Sequence, residues 1–171
     1  MERPVKVLFV CLGNICRSPM AEYLCRSMAA ARGLPVHTAS AGTSGWHDGE
    51  GMHCGSLEIL SDEGIDSSGF VSRRVRTQDL AGFDYLLAMD DDNLAELEQR
   101  FGCHPGKIFK ITDLLPDSGY SHVPDPWYTG NFNETCRILT ACCTTLLDKI
   151  EKDLANQSSR QTLKGYLKVF R

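Results

Sequence analysis

The sequence predicts an α/β fold: a single domain with a four-stranded, parallel, doubly wound sheet flanked by helices. Its 171 residues, 42% hydrophobic and 23% charged, have the make-up of one ordinary globular domain. Strand-like apolar segments alternate with helix-like segments, which is the pattern of βαβ units with right-handed crossovers. Residues 5–10 are apolar and β-branched, as in a strand buried on both faces. Such sheets bind ligands at the carboxyl ends of their strands.

The first helix is predicted over residues 20–32, directly after a loop that follows the first strand. Ser18 is a favoured N-cap residue, and Pro19 fits the first helical turn, where its missing N–H costs nothing. Gly33 can supply a left-handed helix terminus. A second strand is predicted at residues 36–39, which completes one βαβ unit.

The middle of the chain repeats this order. Residues 51–63 predict a helix, and residues 84–89 predict a third strand. Asp91 or Asp92 can cap the next helix, whose apolar residues recur at helical spacing as far as Gly102. The alternation of elements therefore continues.

The fourth strand is predicted at residues 107–111 and the final helix at residues 133–154. The polar segment 156–161 is expected to loosen the chain. The folded domain is predicted over residues 1–156, and residues 157–171 form a tail of unknown role.

Composition limits the partners of the chain. A formal net charge of −4 leaves no excess of positive charge to hold a nucleic-acid backbone or an anionic membrane surface. No apolar segment approaches the roughly 20 residues that span a bilayer, and residues 5–10 lack the features of a signal peptide. We expect a cytoplasmic monomer or weak dimer with no nucleic acid and no membrane among its partners.

The chain contains eight cysteines. It is too long to require disulfides for stability and nothing in it indicates export, so most cysteines are expected to be reduced. Cys54 follows His53 and Cys103 precedes His104, but neither pair has the spacing of a zinc site. No metal site is predicted.

Residues 11–18 have the composition of a phosphate-binding loop after the first strand. A tetrahedral dianion requires many N–H donors that converge on one point. A loop running from a strand into a helix provides such donors together with the positive end of the helix dipole. Gly13 and Asn14 are the residue types that most readily adopt positive φ, so the backbone can curl until successive amides face inward.

Three side chains of this loop carry chemistry. Arg17 can donate two parallel hydrogen bonds to phosphate oxygens. The same positive field favours the thiolate of Cys11, a nucleophile, and Ser18 can donate its hydroxyl to that sulfur. Taken singly, Cys11 is typical of a packed thiol and Arg17 of a surface charge. The preceding buried strand, the Gly-Asn pair and the helix start together favour the chemical interpretation.

Asp125 is the candidate general acid and base. Attack of a thiolate on a phosphate monoester expels a poor leaving group, which an acid must protonate. Asp125 lies between Pro124 and Pro126 in a stiff segment with aromatic neighbours. The alternative is that Asp-Pro only starts a turn, and the spacing alone does not separate the two interpretations.

Two segments resemble the low-molecular-weight protein tyrosine phosphatases. They are Cys11-Leu12-Gly13-Asn14-Ile15-Cys16-Arg17-Ser18-Pro19 and Asp125-Pro126-Trp127-Tyr128. Residues 40–43 and 88–90 also match the family's pattern, and the similarity spans nearly the whole chain through the last helix.

The resemblance implies a phosphocysteine intermediate on Cys11, leaving-group assistance from Ser18, and acid and base catalysis by Asp125. Asn14 and Ser40 would hold the shape of the loop through hydrogen bonds. No metal or cofactor is implied. Phosphate or another oxyanion would be held by Arg17 and by the loop residues Leu12, Gly13, Asn14, Ile15 and Cys16.

The resemblance also implies that the substrates are proteins containing phosphotyrosine. Trp46, Trp127 and Tyr128 would line a cleft deep enough for a phenyl ring to reach the sulfur, although ordinary packing is the alternative for these side chains. A related bacterial branch that acts on phosphoarginine resembles this loop but carries Thr at the position of Ile15. Phosphotyrosine is therefore the predicted substrate.

Cys16 lies five residues after Cys11 in the same loop. The two sulfurs could join when oxidised and so protect Cys11 from irreversible oxidation; a packed thiol is the alternative for Cys16. Arg73 and Arg74 are expected to lie on a solvated surface; contact with acidic substrates or with other loops of the sheet is the alternative.

Two other functions share these features. A thiol-linked arsenate reductase has the same fold and loop but requires further cysteines to carry a disulfide away from the first. Cys103, Cys142 and Cys143 are available, yet Cys142 and Cys143 lie within a predicted apolar helix. A non-catalytic module could instead bind phosphotyrosine or inorganic anions. Both Cys11 and Asp125 would be superfluous in such a module, so their joint presence favours an enzyme.

Overall fold

The computed structural model describes residues 3–170 of the chain and contains one parallel sheet. Its strands are β1 (Val5–Cys11), β2 (Val36–Gly42), β3 (Tyr85–Ala88) and β4 (Ile108–Lys110), in the spatial order β2-β1-β3-β4. The connections run outward from β1 in both directions, so the switch point of the topology lies between β1 and β3. Ligands of doubly wound sheets bind at that point. The predicted four-stranded, doubly wound architecture is confirmed.

Six α-helices and one short 3-10 helix flank the sheet. The 3-10 helix is Ile111–Leu114. The α-helices are α1 (Arg17–Ala31), α2 (Cys54–Asp62), α3 (Asp79–Gly82), α4 (Asp91–Phe101), α5 (Pro126–Thr129) and α6 (Phe132–Val169). Among the described residues, none of these helices is both long enough and apolar enough to cross a membrane.

Strand β1 is the centre of the core because its side chains alternate between two apolar layers. Val7 and Phe9 pack on one face with residues of α1 and α6, and Leu8 and Val10 pack on the other face with residues of α4. All four side chains are fully buried. Helices therefore cover both faces, as the apolar run at residues 5–10 predicts.

Three helix starts differ from the predictions. Asp90, rather than Asp91 or Asp92, is the N-cap of α4. Helix α1 begins at Arg17, and Ser18 is not its N-cap because the Ser18 hydroxyl bonds to side chains of the loop instead. Helix α2 begins at Cys54 rather than at residue 51. The ring nitrogen Nδ1 of His53 accepts a hydrogen bond from the Gly55 N–H and so caps that helix.

The final helix is longer than predicted. Asn131 caps α6 by accepting a hydrogen bond from the Glu134 N–H. The helix then continues without a break to Val169, so the predicted loosening at residues 156–161 is wrong. That polar segment contains no Gly or Pro that would stop a helix. Residues 155–170 are exposed. The division into a domain of residues 1–156 and a tail of residues 157–171 stays a prediction.

Candidate active site

The loop of residues 12–16 presents its backbone N–H groups to one side and its carbonyl groups to the other. Carbonyl oxygens accept hydrogen bonds from outside the loop: Cys11 from the Thr43 N–H, Leu12 from the Ser44 N–H, and Ile15 from the His53 N–H, at 2.9–3.0 Å. The hydroxyls of Ser72 and Ser56 donate to the Gly13 and Cys16 carbonyls. Across residues 3–170, no protein acceptor pairs with the N–H groups of residues 12–16. The loop can thus hold an anion with its N–H groups.

The predicted positive φ in this loop is found at Asn14, where φ is 56°. The side chain of Asn14 holds this conformation: its Oδ1 accepts from the Arg73 N–H at 3.0 Å, and its Nδ2 donates to the Ser18 and Ser40 hydroxyls at 2.8 and 2.9 Å. Asn14 is fully buried. Asn14 is thus bonded both to Ser40 and to the Arg73 backbone, and the support of the loop by Asn14 and Ser40 stays a prediction.

Gly42, at the end of β2, lets the loop approach the sheet closely. A Cβ atom at this position would lie 2.8 Å from the carbonyl oxygen of Leu12 and 3.2 Å from the backbone nitrogen of Asn14. Backbone atoms cannot yield at such distances, so any side chain at residue 42 would displace the loop.

A buried chain of hydrogen bonds connects the sulfur of Cys11 to a carboxyl group in α1. The Ser18 Oγ lies 3.0 Å from the Cys11 Sγ and accepts from Asn14. Asn14 also donates to Ser40, whose hydroxyl donates to Glu22 at 2.6 Å. Burial raises the pKa of Glu22, although the Ser40 hydroxyl and Arg26 oppose this shift. Glu22 was not predicted, because its contact with Ser40 depends on how α1 packs over β2.

We expect the Glu22→Gln variant to gain stability relative to the wild type as pH rises above 4.5, the ordinary pKa of this carboxyl. The unfolded wild type ionises there while the folded form still holds its proton, so the wild type loses stability until pH passes the raised pKa. Glutamine cannot ionise and keeps an oxygen that can accept from Ser40. Urea unfolding over a pH series measures the difference. The exposed Glu58→Gln change is the control; parallel curves for Glu22→Gln and wild type would contradict the interpretation.

Arg17 is buried at the start of α1, with 3% of its side chain exposed. Its NH1 group donates to the Asp90 carboxylate at 2.8 Å and to the Val123 carbonyl at 2.9 Å. Burial acts to lower the pKa of Arg17, but the charges of Cys11, Asp125 and Asp90 act against this and the net shift is upward. The guanidinium therefore stays charged and fixed in direction.

Asp90 is a site residue that the sequence argument did not single out. It follows β3 at the switch point and accepts from both Arg17 and the Asn93 N–H, so it positions the guanidinium while capping α4. The available signal was an acidic residue at the carboxyl end of the strand beside β1, where doubly wound sheets bind ligands.

Asp125 caps α5 and also faces Arg17. Its Oδ1 accepts from the Trp127 N–H at 3.1 Å, and its Oδ2 lies 3.4 Å from NH2 of Arg17. Asp125 thus both starts the turn and faces Arg17, as the two interpretations of this residue describe. Its side chain is 22% exposed, so a substrate or water molecule can reach it.

One cleft brings together most of the predicted residues. Trp46, Trp127 and Tyr128 form its rim and are 56–80% exposed. Trp127 packs edge-on against His53, with ring centroids 5.7 Å apart. Asn14, Ser18 and Ser40 lie behind the loop instead. The other predicted residues that line the cleft are Cys11, Leu12, Gly13, Ile15, Cys16, Arg17 and Asp125.

His47 also lines the cleft and was not predicted. Its ring lies against the loop, where a Cβ atom on Gly13 would be 3.0 Å from its Cδ2 atom, and its Nδ1 contacts Glu50. Its place beside Trp46 in the sequence was the only signal.

The two arginines expected on a solvated surface behave differently. Arg74 is exposed, but Arg73 is half-buried and its guanidinium pairs with the buried Asp79 at 2.9 Å. Because the backbone N–H of Arg73 also holds Asn14, this residue supports the loop from outside. For Arg73 the surface prediction is wrong.

The two cysteines of the loop differ in their surroundings. Burial, followed by the charges of Cys11 and Asp125, raises the pKa of Cys16 to about 12, so Cys16 stays a neutral thiol. The Cys11 sulfur instead faces the Ser18 hydroxyl and shares the cleft with Arg17. Of the two loop sulfurs, only that of Cys11 lies within 3.0 Å of the Ser18 hydroxyl.

Known proteins of one family are similar to this chain. A family sequence model described as low molecular weight phosphotyrosine protein phosphatase matches residues 6–157. The chain is 47% identical over 152 residues to the low molecular weight protein-tyrosine-phosphatase YfkJ of Bacillus subtilis, covering 87% of this chain and 97% of that protein. The crystal structure of YfkJ covers 89% of this chain and 98% of its own, with a TM-score of 0.85 and 45% identity.

Two further crystal structures are similar. A protein tyrosine phosphatase from Entamoeba histolytica has a TM-score of 0.80 and 36% identity, covering 87% of this chain and 98% of its own. A Drosophila arginine phosphatase has a TM-score of 0.79 and 30% identity, covering 85% and 98%. From the family match and these relatives, the chain belongs to the low-molecular-weight protein tyrosine phosphatases, a family of cysteine-dependent hydrolases.

Proposed function

We propose that this chain hydrolyses phosphotyrosine in proteins, and small aryl phosphates, through a phosphocysteine intermediate on Cys11. One observation carries the proposal: the loop of residues 12–16 directs unpaired N–H groups away from its anchored carbonyls, in a cleft that also contains Cys11 and Arg17. Such an arrangement stabilises negative charge both on a sulfur and on phosphate oxygens.

In the first step, the Cys11 thiolate attacks phosphorus, a sulfur–phosphorus bond forms, and the bond from phosphorus to the phenolic oxygen breaks. Asp125 donates its proton to the departing oxygen, so tyrosine leaves as a neutral phenol. The loop N–H groups and Arg17 hold the three equatorial oxygens while charge spreads over them. Asp90 and the Val123 carbonyl keep Arg17 in place for this task.

In the second step, water attacks phosphorus and the sulfur–phosphorus bond breaks. Asp125, now a carboxylate, takes a proton from the attacking water. Ser18, whose hydroxyl lies 3.0 Å from the sulfur, donates a hydrogen bond that stabilises the departing thiolate. Inorganic phosphate is released, and Cys11 returns to its starting state.

Rapid acid quenching of the reaction with p-nitrophenyl phosphate tests this proposal. We expect mass spectrometry to find one phosphoryl group on the peptide that contains Cys11. A phosphoryl group on another residue, or hydrolysis with no covalent intermediate under single-turnover conditions, would contradict the mechanism.

Ile15 is proposed to favour phosphotyrosine over phosphoarginine. Its side chain is nearly buried and lines the cleft, where an apolar wall suits a phenyl ring. The alternative substrate deserves a direct comparison, since one similar structure is that of an arginine phosphatase.

We expect the Ile15→Thr variant to lose about ten-fold in kcat/KM on a phosphotyrosine peptide and to gain on the matching phosphoarginine peptide, because one altered pocket contact is worth roughly 1–3 kcal/mol. Peptides that differ only in the modified residue measure the ratio. The Val71→Thr change, at an exposed position outside the cleft, is the control. An unchanged ratio would show that other residues select the substrate.

A disulfide between Cys11 and Cys16 is proposed as protection against oxidation. Both sulfurs belong to residues that line the cleft. Once peroxide has oxidised Cys11 to a sulfenic acid, the Cys16 sulfur can give up its proton and displace the hydroxyl group, so that the disulfide forms and water is released. We expect Cys16→Ser to recover less than half of its activity from peroxide when treated with a thiol, under conditions in which the wild type recovers. Equal recovery would contradict the disulfide.

The remaining expectations about partners and location stay predictions. Residence in the cytoplasm is supported by the eight cysteines, all of which are free thiols. The monomeric or weakly dimeric state is an expectation that sedimentation of the purified chain would measure. A role as arsenate reductase is disfavoured because Cys142 and Cys143 are fully buried in the core.

A further inference from the structure

The last sixteen described residues, 155–170, are the end of α6 and its C-cap residue, and most of them lie beyond the part of the chain that matches the family. The family match ends at residue 157. None of these residues is buried, whereas α6 up to Ile150 contributes a continuous row of buried side chains to the core. The segment, here called the terminal helix segment, extends for about 24 Å at 1.5 Å per residue.

One face of the terminal helix segment is apolar and uncovered. Leu163, Tyr166, Leu167 and Phe170 recur at spacings of three and four residues, which places them on one side of a helix. Their side chains are 57–72% exposed, and the rings of Tyr166 and Phe170 lie 4.7 Å apart between centroids. This face is a contiguous apolar stripe in contact with water.

The stripe points away from the catalytic domain. Gln161 shares a groove with Val5 and Tyr85 and so marks the side of the helix that faces the domain. Leu163 follows Gln161 by two residues, which at about 100° per residue puts the two side chains on nearly opposite sides of the helix. The domain therefore cannot cover the stripe while α6 stays straight. A flat surface in contact with the stripe would lie on the opposite side of the helix from the domain.

Basic residues flank the stripe. Arg160, Lys164 and Lys168 recur every four residues along one edge, and no acidic residue follows Asp153. The formal charge of the whole chain is −4, but residues 154–171 contain four basic and no acidic residues, so residues 1–153 have a formal charge of −8. Net charge thus conceals a strongly basic segment on an acidic protein.

We propose that the terminal helix segment binds an anionic membrane surface, lying in the plane of the interface with its apolar stripe in the acyl boundary. An exposed apolar stripe bordered by Lys and Arg, in a helix too polar to span, is the composition of interfacial helices. A second copy of the segment is less suited to cover the stripe, because pairing two stripes brings the basic residues of both copies together. The expectation that membranes are excluded rested on net charge, which does not report this segregation.

The path of α6 keeps the active site accessible in this arrangement. The helix begins beside the cleft, where the Phe132 ring stacks on His53 with centroids 5.0 Å apart. It reaches the opposite, amino-terminal edge of the sheet, where Leu154 and Gln157 share a groove with Val5 and Tyr85. The membrane-binding segment and the cleft thus lie at opposite ends of the molecule.

Co-sedimentation of the full chain with vesicles tests the proposal. We expect binding to vesicles of phosphatidylglycerol and phosphatidylcholine, weak binding to phosphatidylcholine alone, and release as salt rises. The double change L163E/L167E is expected to weaken the partition coefficient at least about ten-fold. K164Q/K168Q is expected to weaken it roughly five-fold per charge. Cys11→Ser should bind as the wild type does, so the result is independent of catalysis.

The matched control is L57E/V71E, which adds the same two charges at exposed apolar residues outside the segment and is expected to leave binding unchanged. Thermal unfolding of each variant checks that the domain remains folded. The proposal is overturned if the wild type does not bind anionic vesicles or if L163E/L167E binds equally well. It is also overturned if light scattering finds a dimer that L163E/L167E dissociates while no variant binds vesicles.

Discussion

Replacing Cys11 by serine is expected to lower the hydrolysis of p-nitrophenyl phosphate at least about 10⁴-fold, because loss of a nucleophile that acts in concert with its neighbours removes most of the rate enhancement. The serine hydroxyl is nearly isosteric, but an alcohol is far less acidic than a thiol and is a much weaker nucleophile at neutral pH. Steady-state assays measure the loss. Cys103→Ser, at an exposed cysteine, is the matched control and is expected to be fully active.

The same variant separates chemistry from binding. The loop N–H groups of residues 12–16 do not depend on the sulfur, so Cys11→Ser is expected to bind inorganic phosphate, as calorimetry can measure. Loss of both hydrolysis and phosphate binding would indicate a collapsed loop. Hydrolysis that survived in Cys11→Ser would end the covalent mechanism.

Replacing Asp125 by asparagine is expected to lower kcat on phenyl phosphate by about 10²–10⁴-fold, the usual contribution of general acid catalysis. The loss on p-nitrophenyl phosphate is expected to be smaller, because its leaving group departs without a proton. Asparagine still accepts the hydrogen bond of the Trp127 N–H that caps α5, so the turn is retained.

The comparison of the two substrates isolates the acid role of Asp125. Asp125→Ala removes both the proton and the helix cap, so any additional loss relative to Asp125→Asn measures the structural part. Equal losses on both substrates in Asp125→Asn would assign this residue to positioning rather than to proton transfer. Unchanged activity would show that another residue in the cleft is the general acid.

The backbone conformation of the loop was predictable from the sequence. An apolar run of strand length, a Gly-Asn pair and a helix start within fifteen residues predict where the backbone must curl, and Asn14 has the positive φ expected there. Ser18 was misread as an N-cap because its residue type suits that role equally well. What decided its partner was the Asn14 amide and the Cys11 sulfur.

The residues that support the site from a distance could not be predicted in the same way. Glu22 meets Ser40 only because α1 packs over β2, and Asp90 meets Arg17 only because β3 pairs with β1. These contacts join segments 18 and 73 residues apart. They depend on the order of the strands in the sheet, which cannot be inferred from a single sequence.

The outward anchoring of the loop carbonyls has a kinetic consequence. Because the loop is already rigid, neither a phosphate ester nor free phosphate has to order its backbone on binding. The loop therefore discriminates little between the two ligands. The leaving product therefore competes with the next substrate for the same donors. We therefore expect inorganic phosphate to inhibit turnover as it accumulates. Other tetrahedral oxyanions of similar size are expected to inhibit for the same reason.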